Sequence, residues 1–317
     1  LISNTSNISE KALLHSMLSE LYIKYYNDSR WNYDRRTSLG DFVPDDMQEW
    51  SANNFIDKTI ENINLSVKDK DTLKKHTTKE YSDIIDMGED SRLYYPTLYD
   101  FLMYRAIDIS KQITRGWQPI LGSNNKEIAS EELASLANDF IKLQIAQDKE
   151  RKDAVFNYYK EYSKDLIERN LIPTIILTDL DRINYVRSNS RSFSDEKALD
   201  VYTRLADKYN NEAAVEVINE IAGALLNMEY RDPLNRKGDK YREQAYEWLQ
   251  KGISKYSSYH RIGLLKNRLN DMEAPTLKLE GEHLFMIGKP VTLGISYKNT
   301  QAIEEPIIFK LYKNSID

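Results

Sequence analysis

The sequence predicts a mainly α chain, an α-solenoid of helical hairpins that runs into the first strands of a β-sandwich. Three observations carry this expectation. Apolar residues recur at i, i+3 and i+4 over most of the first 272 residues. One block of that pattern repeats at a constant offset of 47 residues. After Pro275 the apolar period changes from helical to two. With 11 Gly and 8 Pro in 317 residues, breakers are sparse enough for long helices. The 22 Tyr suit helix-on-helix contacts, with the ring buried and the hydroxyl at a wet edge.

Ala12, Leu13, Met17, Leu18, Leu21 and Tyr25 give residues 8–27 helical spacing, with Ser9 as N-cap and Glu10 in the first turn. A polar loop around Asn27, Asp28 and Ser29 follows. Pro44 is expected to open the next helix, where its missing N–H costs nothing, with Asp45 and Asp46 complementing the dipole. Met47, Trp50, Phe55, Ile56, Ile60 and Ile63 form its stripe. Two short helices are expected between Lys68 and Met87, stopped by Gly88. Pro96 opens a helix carrying Leu98, Phe101, Leu102, Arg105, Ala106 and Ile109, ended by Gly116 and Pro119. Residues 129–145 read as helix with a broken stripe; 155–167 and 174–187 read as helices.

Residues 196–209 and 243–256 then match position by position. Glu196, Ala198, Tyr202, Leu205 and Tyr209 correspond to Glu243, Ala245, Leu249, Gly252 and Tyr256. The spacing resembles the second helix of a tetratricopeptide repeat, with an insertion at 229–238 lengthening the period beyond ~34 residues. Residues 212–227 and 258–271 supply the partner helices. Such hairpins cannot bury their apolar faces alone and must stack on neighbours. Residues 1–272 are therefore expected to form a helical TPR-like module. Residues 273–317 are expected to begin a β-sandwich: Leu277 and Leu279 alternate with polar residues, as do Val291, Leu293, Ile295 and Tyr297, and 308–312 make a third strand.

Composition excludes several functions. A net charge of −6 provides no basic field for a phosphate backbone, so no nucleic-acid partner is expected. The absence of Cys removes disulfides, thiol catalysis and Cys-ligated metals. No apolar run approaches the ~20 residues of a membrane span. His15, His76, His260 and His283 show no metal-ligand spacing, and neither a nucleophile elbow nor a phosphate loop occurs, so no cofactor is expected. Asp45–Asp46, Glu89–Asp90 and Glu131–Glu132 are adjacent carboxylates that read as helix-start residues, with Trp31, Tyr94 and Tyr95 as possible sugar platforms. Arg30, Trp31, Tyr33, Arg35 and Arg36, with Trp117, make up the candidate interaction surface. The cluster around Trp31 serves either as a carboxylate or glycan contact or as an arginine–aromatic pin for a long loop.

Several segments together resemble the N-terminal region of large bacterial alpha-2-macroglobulin-family proteins. They are the run Arg30-Trp31-Asn32-Tyr33-Asp34-Arg35-Arg36, residues 43–51 (VPDDMQEWS), residues 96–102 (PTLYDFL) with Arg105 to Asp108, residues 179–186 (DLDRINYV) and residues 296–299 (SYKN). The resemblance implies an exported protein, periplasmic or on the cell surface and often a lipoprotein, whose family traps or inhibits proteases. It implies that the strands after Pro275 start a macroglobulin-like domain and that the partners are further β-sandwich domains of a parent chain and, through it, proteases. Without Cys, no thioester residue carries over. The start at Leu1 and the strand-like pattern of 309–313 read as a fragment of something longer. The expected function is a non-enzymatic scaffold or interaction module. The alternatives are a TPR-like carbohydrate-binding surface protein and, behind it, a helical-barrel glycosidase.

Overall fold

A computed structural model describes residues 2–37, 42–88, 90–113, 118–147, 151–232, 240–281 and 293–299. Within them the chain is mainly helical, with one two-stranded antiparallel sheet.

Helix α1 (Ile8–Asp28) starts one residue after Asn7, whose side chain accepts the N–H groups of Ser9 at 2.9 Å and Glu10 at 3.3 Å. Asn7, not Ser9, is thus the N-cap, and Ser9 is buried inside the first turn. The inward face also differs from the expected stripe. Ala12, Leu13, Ser16, Ser19, Ile23 and Tyr26 are buried, while Met17, Leu21 and Tyr25 are exposed. The reason lies in the partner helix α3 (Ala52–Val67), which packs along α1. Both faces use small hydroxyl residues that satisfy themselves on carbonyls three or four residues back: Ser19 on Ser16, Thr59 on Phe55 and Ser66 on Ile63, at 2.7–2.8 Å. Short side chains with internally paired hydroxyls allow burial without a polar penalty.

Between them, α2 (Arg30–Tyr33) is a single turn. Pro44 does not open α3. Residues 47–49 form a 3₁₀ turn capped by Asp46, and Ser51 starts α3 in a reciprocal capping box with Asn54. Trp50 lies between the two, buried, its indole N–H donating to the Pro44 carbonyl at 2.7 Å. The short elements after Lys68 are α4 (Lys70–Leu73) and a 3₁₀ turn at Thr78–Tyr81. Then follow α5 (Ser91–Tyr94) and α6 (Leu98–Lys111), the latter capped by Thr97 in a box with Asp100. Residues 129–145 hold two single turns, α7 (Ser130–Leu133) and α8 (Ala137–Phe140), rather than one helix, and Ile145 bridges back to Gly122. Their polar positions could not fill a continuous apolar stripe.

The long helices α9 (Ala154–Glu168) and α10 (Ile172–Asn189) carry the core onward, with Pro173 in the first turn of α10. α6 packs on α1, α3 and α9, and α10 packs on α9 and α11. The chain then runs through α11 (Asp195–Lys208), α12 (Ala214–Arg231), α13 (Tyr241–Lys255) and α14 (Gly263–Glu273). α12 touches α10, α11, α13 and α14, and so is buried on several sides through Val215, Val217, Ile218, Ile221 and Leu225. Three of the five pairs matched at the 47-residue offset are buried in both helices, Ala198 with Ala245, Tyr202 with Leu249 and Leu205 with Gly252, while Glu196 and Glu243 are both exposed. Residues 229–231 of the expected insertion extend α12. β1 (Thr276–Gly281) and β2 (Leu293–Lys298) close the described chain, and the strand expected at 308–312 lies outside the described residues.

Buried tyrosines join the layers. Tyr158 donates to Asn64 at 2.9 Å, Tyr159 to Asp181 at 2.7 Å, Tyr162 to Asp100 at 3.2 Å, and Tyr202 to Asn184. The rings are buried while the acceptors Asn64, Asp181 and Asn184 lie toward the surface; of the four only Asp100 is an interior acceptor. Asp100 is also the anchor for Arg169, which reaches Asp165, and Asp165 in turn receives Lys74. That cluster ties α4, α6 and α9 together.

Gly252 shows how tightly α13 is set. A Cβ there would lie 2.7 Å from Leu265 Cδ1 and 3.0 Å from Ile218 Cδ1, so any larger residue forces these buried side-chain ends to move where α12, α13 and α14 meet. Gly252→Ala should therefore lower stability by about 1–3 kcal/mol through overpacking, against the ~1 kcal/mol gain usual for Gly to Ala in a helix. Urea unfolding checks this, and a raised midpoint would contradict the close approach.

Candidate functional site

The residues read as an interaction surface divide sharply. Arg30 places its guanidinium 4.8 Å over the Tyr26 ring, pairs with Asp34 at 3.4 Å and reaches the Ile113 carbonyl at 3.5 Å. Burial lifts the Tyr26 hydroxyl to about 12, assisted by its 2.6 Å bond to Asp34. Tyr33 is buried edge-on against Phe55 at 4.8 Å, so it belongs to the packing and not to a surface. Arg36 sits 5.0 Å over the Tyr33 ring and donates to the carbonyls of Gln48 and Trp50. Arg36 thus ties residues 48–50 to α2, while Arg30 ties α2 to α1 and to the chain just after α6. Trp31, 68% exposed, and Arg35 face water. Met17, Leu21 and Tyr25 lie one turn apart along one side of α1 and are exposed as well. Trp117 lies outside the described residues.

The adjacent carboxylates are occupied locally. Asp46 accepts from Gln48, Glu132 from the Ala129 N–H at 3.1 Å, and Glu131 pairs with Lys197; Glu89 lies outside the described residues. His15 bonds Asn62 at 2.7 Å and His76 bonds Glu80 at 2.7 Å. Among the described residues, no group of three His, Cys, Asp or Glu side chains could hold a metal ion.

A site unmarked by any motif forms where residues 78–104 meet the start of α14. A cavity of about 280 Å³ lies between Ile85, Met87, Tyr94, Tyr95, Phe101 and Tyr104, with Asp86, Asp90 and Arg261 also on its lining. Most of that lining is carbon. The Tyr95 and Tyr104 rings lie 4.8 Å apart at 45°, and a narrow second cleft continues behind them toward Tyr162 and Asp181. Tyr94 is held from two sides: Thr174 Oγ1 donates to its carbonyl at 3.2 Å, and its hydroxyl bonds that of Tyr259. Tyr259 donates to Glu216 at 3.0 Å, which leaves Tyr94 as donor to Tyr259. Arg261 pairs with the same Glu216 oxygen at 3.2 Å, and His260 pairs with Asp90 at 2.8 Å. Burial pushes the Tyr94, Tyr95 and Tyr259 hydroxyls upward. Burial also raises the Glu216 carboxyl, opposed by Arg261.

The sequence offers Tyr94 and Tyr95 only as possible sugar platforms. Their companions Glu216, Tyr259, His260 and Arg261 are more than a hundred positions away, and no local pattern links them.

No family model, curated protein or solved structure matches the chain.

The raised Glu216 carboxyl has a definite consequence for pH. Between its ordinary value of 4.5 and its raised folded value, the folded state holds a proton that the unfolded state has released. Stability from this group is full below that window and falls as pH rises through it. Urea unfolding from pH 4.5 to 7.5 should show a shallower decline in Glu216→Gln than in the wild type. An unchanged or steeper decline would contradict the assignment.

Proposed function

We propose that the chain is a non-enzymatic scaffold and interaction module of a macroglobulin-like protein that traps or inhibits proteases. The observation that carries this reading is the apolar face of the β1–β2 sheet. In its register Leu277 pairs with Tyr297 and Leu279 with Ile295, and all four side chains are exposed on one face. The opposite face pairs Lys278 with Ser296 and is polar. One apolar and one polar face is the pattern of a sandwich layer awaiting its facing sheet. A two-stranded ribbon by itself is marginal, and each side chain covered would contribute about 1.5–3 kcal/mol. Asn299, with φ 52°, ties the end of β2 to the end of α14 by donating to the Met272 carbonyl at 2.5 Å. This fixes the ribbon where a following domain would continue it.

The helical part fits the same role. On this reading α11 to α14 are two TPR-like hairpins, the partners are further β-sandwich domains of a parent chain and, through it, proteases, and the protein is exported to the periplasm or cell surface. The exposed stripe of Met17, Leu21 and Tyr25, with Trp31 beyond it, offers the apolar contact that an interaction module needs. No helix among the described residues is long and apolar enough to cross a membrane.

The double substitution Leu279→Lys/Tyr297→Lys tests the proposal. In residues 1–317 these side chains already face water, so the thermal midpoint should move by no more than about 1–2 °C. In the parent protein the same change should reduce trapping at least tenfold. Trapping is read as a protease that still cleaves small peptides but no longer reaches large proteins. Undiminished trapping by the altered parent, or turnover of a peptide or glycan by residues 1–317 alone, would overturn the reading.

A further inference from the structure

From the cavity between α5, α6 and α14 we infer a binding site for a small organic cation with an apolar body, such as an aryl-alkyl quaternary ammonium. The inference is independent of the macroglobulin reading. Its basis is the union of aromatic walls and one carboxylate unpaired among the described residues, Asp86, around a half-open cavity. Tyr94, Tyr95, Phe101 and Tyr104 line the cavity, and Tyr104 is 41% exposed at its mouth. The face of an aromatic ring attracts a cation through its quadrupole, most strongly where water is displaced. The Tyr94 hydroxyl is committed to Tyr259, so the ring is what Tyr94 presents, in a fixed orientation.

Charge decides the sign of the ligand. Asp86 and Asp90 lie on the lining, Asp90 paired with His260 at 2.8 Å, and Glu216 lies just behind it, facing Arg261, the one permanent cation among the described lining side chains. Arg261 is engaged by Glu216, and no described residue pairs with Asp86. The place therefore repels an anion and favours a cation. The mostly carbon lining favours an apolar body over a sugar, whose hydroxyls would need more converging donors and acceptors. The cavity is slightly smaller than the ~300–1,000 Å³ of usual ligand pockets, which suits a small molecule.

Benzyltrimethylammonium titrated into the full chain by calorimetry tests this, beside benzyl alcohol, phenylacetate and a panel of mono- and disaccharides. Saturable one-to-one binding of the cation is expected, at least tenfold tighter than benzyl alcohol, with no phenylacetate binding. Asp86→Asn should weaken it several-fold, Tyr104→Ala should abolish it, and Tyr104→Phe, which keeps the ring face, should retain it. Both Asp86 and Tyr104 are exposed enough for these variants to fold, which circular dichroism verifies. Absence of saturable binding, equal binding of phenylacetate, a sugar bound more tightly than the cation, or full affinity in folded Tyr104→Ala would each overturn the inference.

Discussion

A single buried guanidinium holds the middle of this fold together. Arg182 of α10 is fully enclosed, as is Asp179 one turn before it. Arg182 donates to Asp179 and to the Ser135 carbonyl, both at 2.6 Å, and to the Leu133 carbonyl; its plane lies 3.9 Å over the Phe140 ring. Asp179 also accepts the Ala137 N–H at 2.9 Å. The stretch containing α7 and α8 has too little apolar surface for a long helix of its own. Instead its free carbonyls and N–H are satisfied by one ion pair on α10. Burial raises the Asp179 carboxyl while Arg182 opposes it, so each charge is tolerable only because the other is present. α10 contacts α5, α7, α9, α11 and α12, so whatever fixes it fixes the join between the first half of the chain and the second.

The same device recurs more mildly elsewhere. Asp100, fully buried, receives Tyr162 and Arg169, and Asp165 receives Arg169 and Lys74. Asp181 receives Tyr159 and Lys111. Asp100 and Asp181 are each shared by a tyrosine and a cation, and Asp165 by two cations. A core built this way is specific about which helices meet, since a mispaired helix would strand a buried charge. In the tyrosine-lined cavity beside α5 such groups crowd around open space instead of closing it.

Much of the helical order was legible because long helices carry long periodicities. α6, α9, α10 and α11 to α14 fall close to their expected bounds, and three of the five pairs matched at the 47-residue offset are buried in both copies. The failures share a cause. α1 turned a serine-bearing face inward because serines that bond their own helix carbonyls pack as small residues, which a count of apolar spacing cannot register. Pro44 seemed a helix start from its sequence context, yet the Trp50 indole claims its carbonyl and delays α3 to Ser51. Asp179 and Arg182 are buried on the same helix as Ile175 and Ile183, and apolar spacing carries no sign of a buried ion pair. Around Trp31, Arg36 lies over the neighbouring Tyr33 ring but Arg30 lies over Tyr26, and the joining of Tyr94 to Tyr259, 165 positions away, is a tertiary event without a local signal.

The structural account rests on the claim that Arg182 and Asp179 act as one unit. A double-mutant cycle with Arg182→Met and Asp179→Leu, measured by urea unfolding, tests it most directly. Each single change should cost about 3–5 kcal/mol because it leaves one buried charge uncompensated, and the double change should cost far less than their sum. Two additive losses would show that the side chains act separately, and would contradict the account.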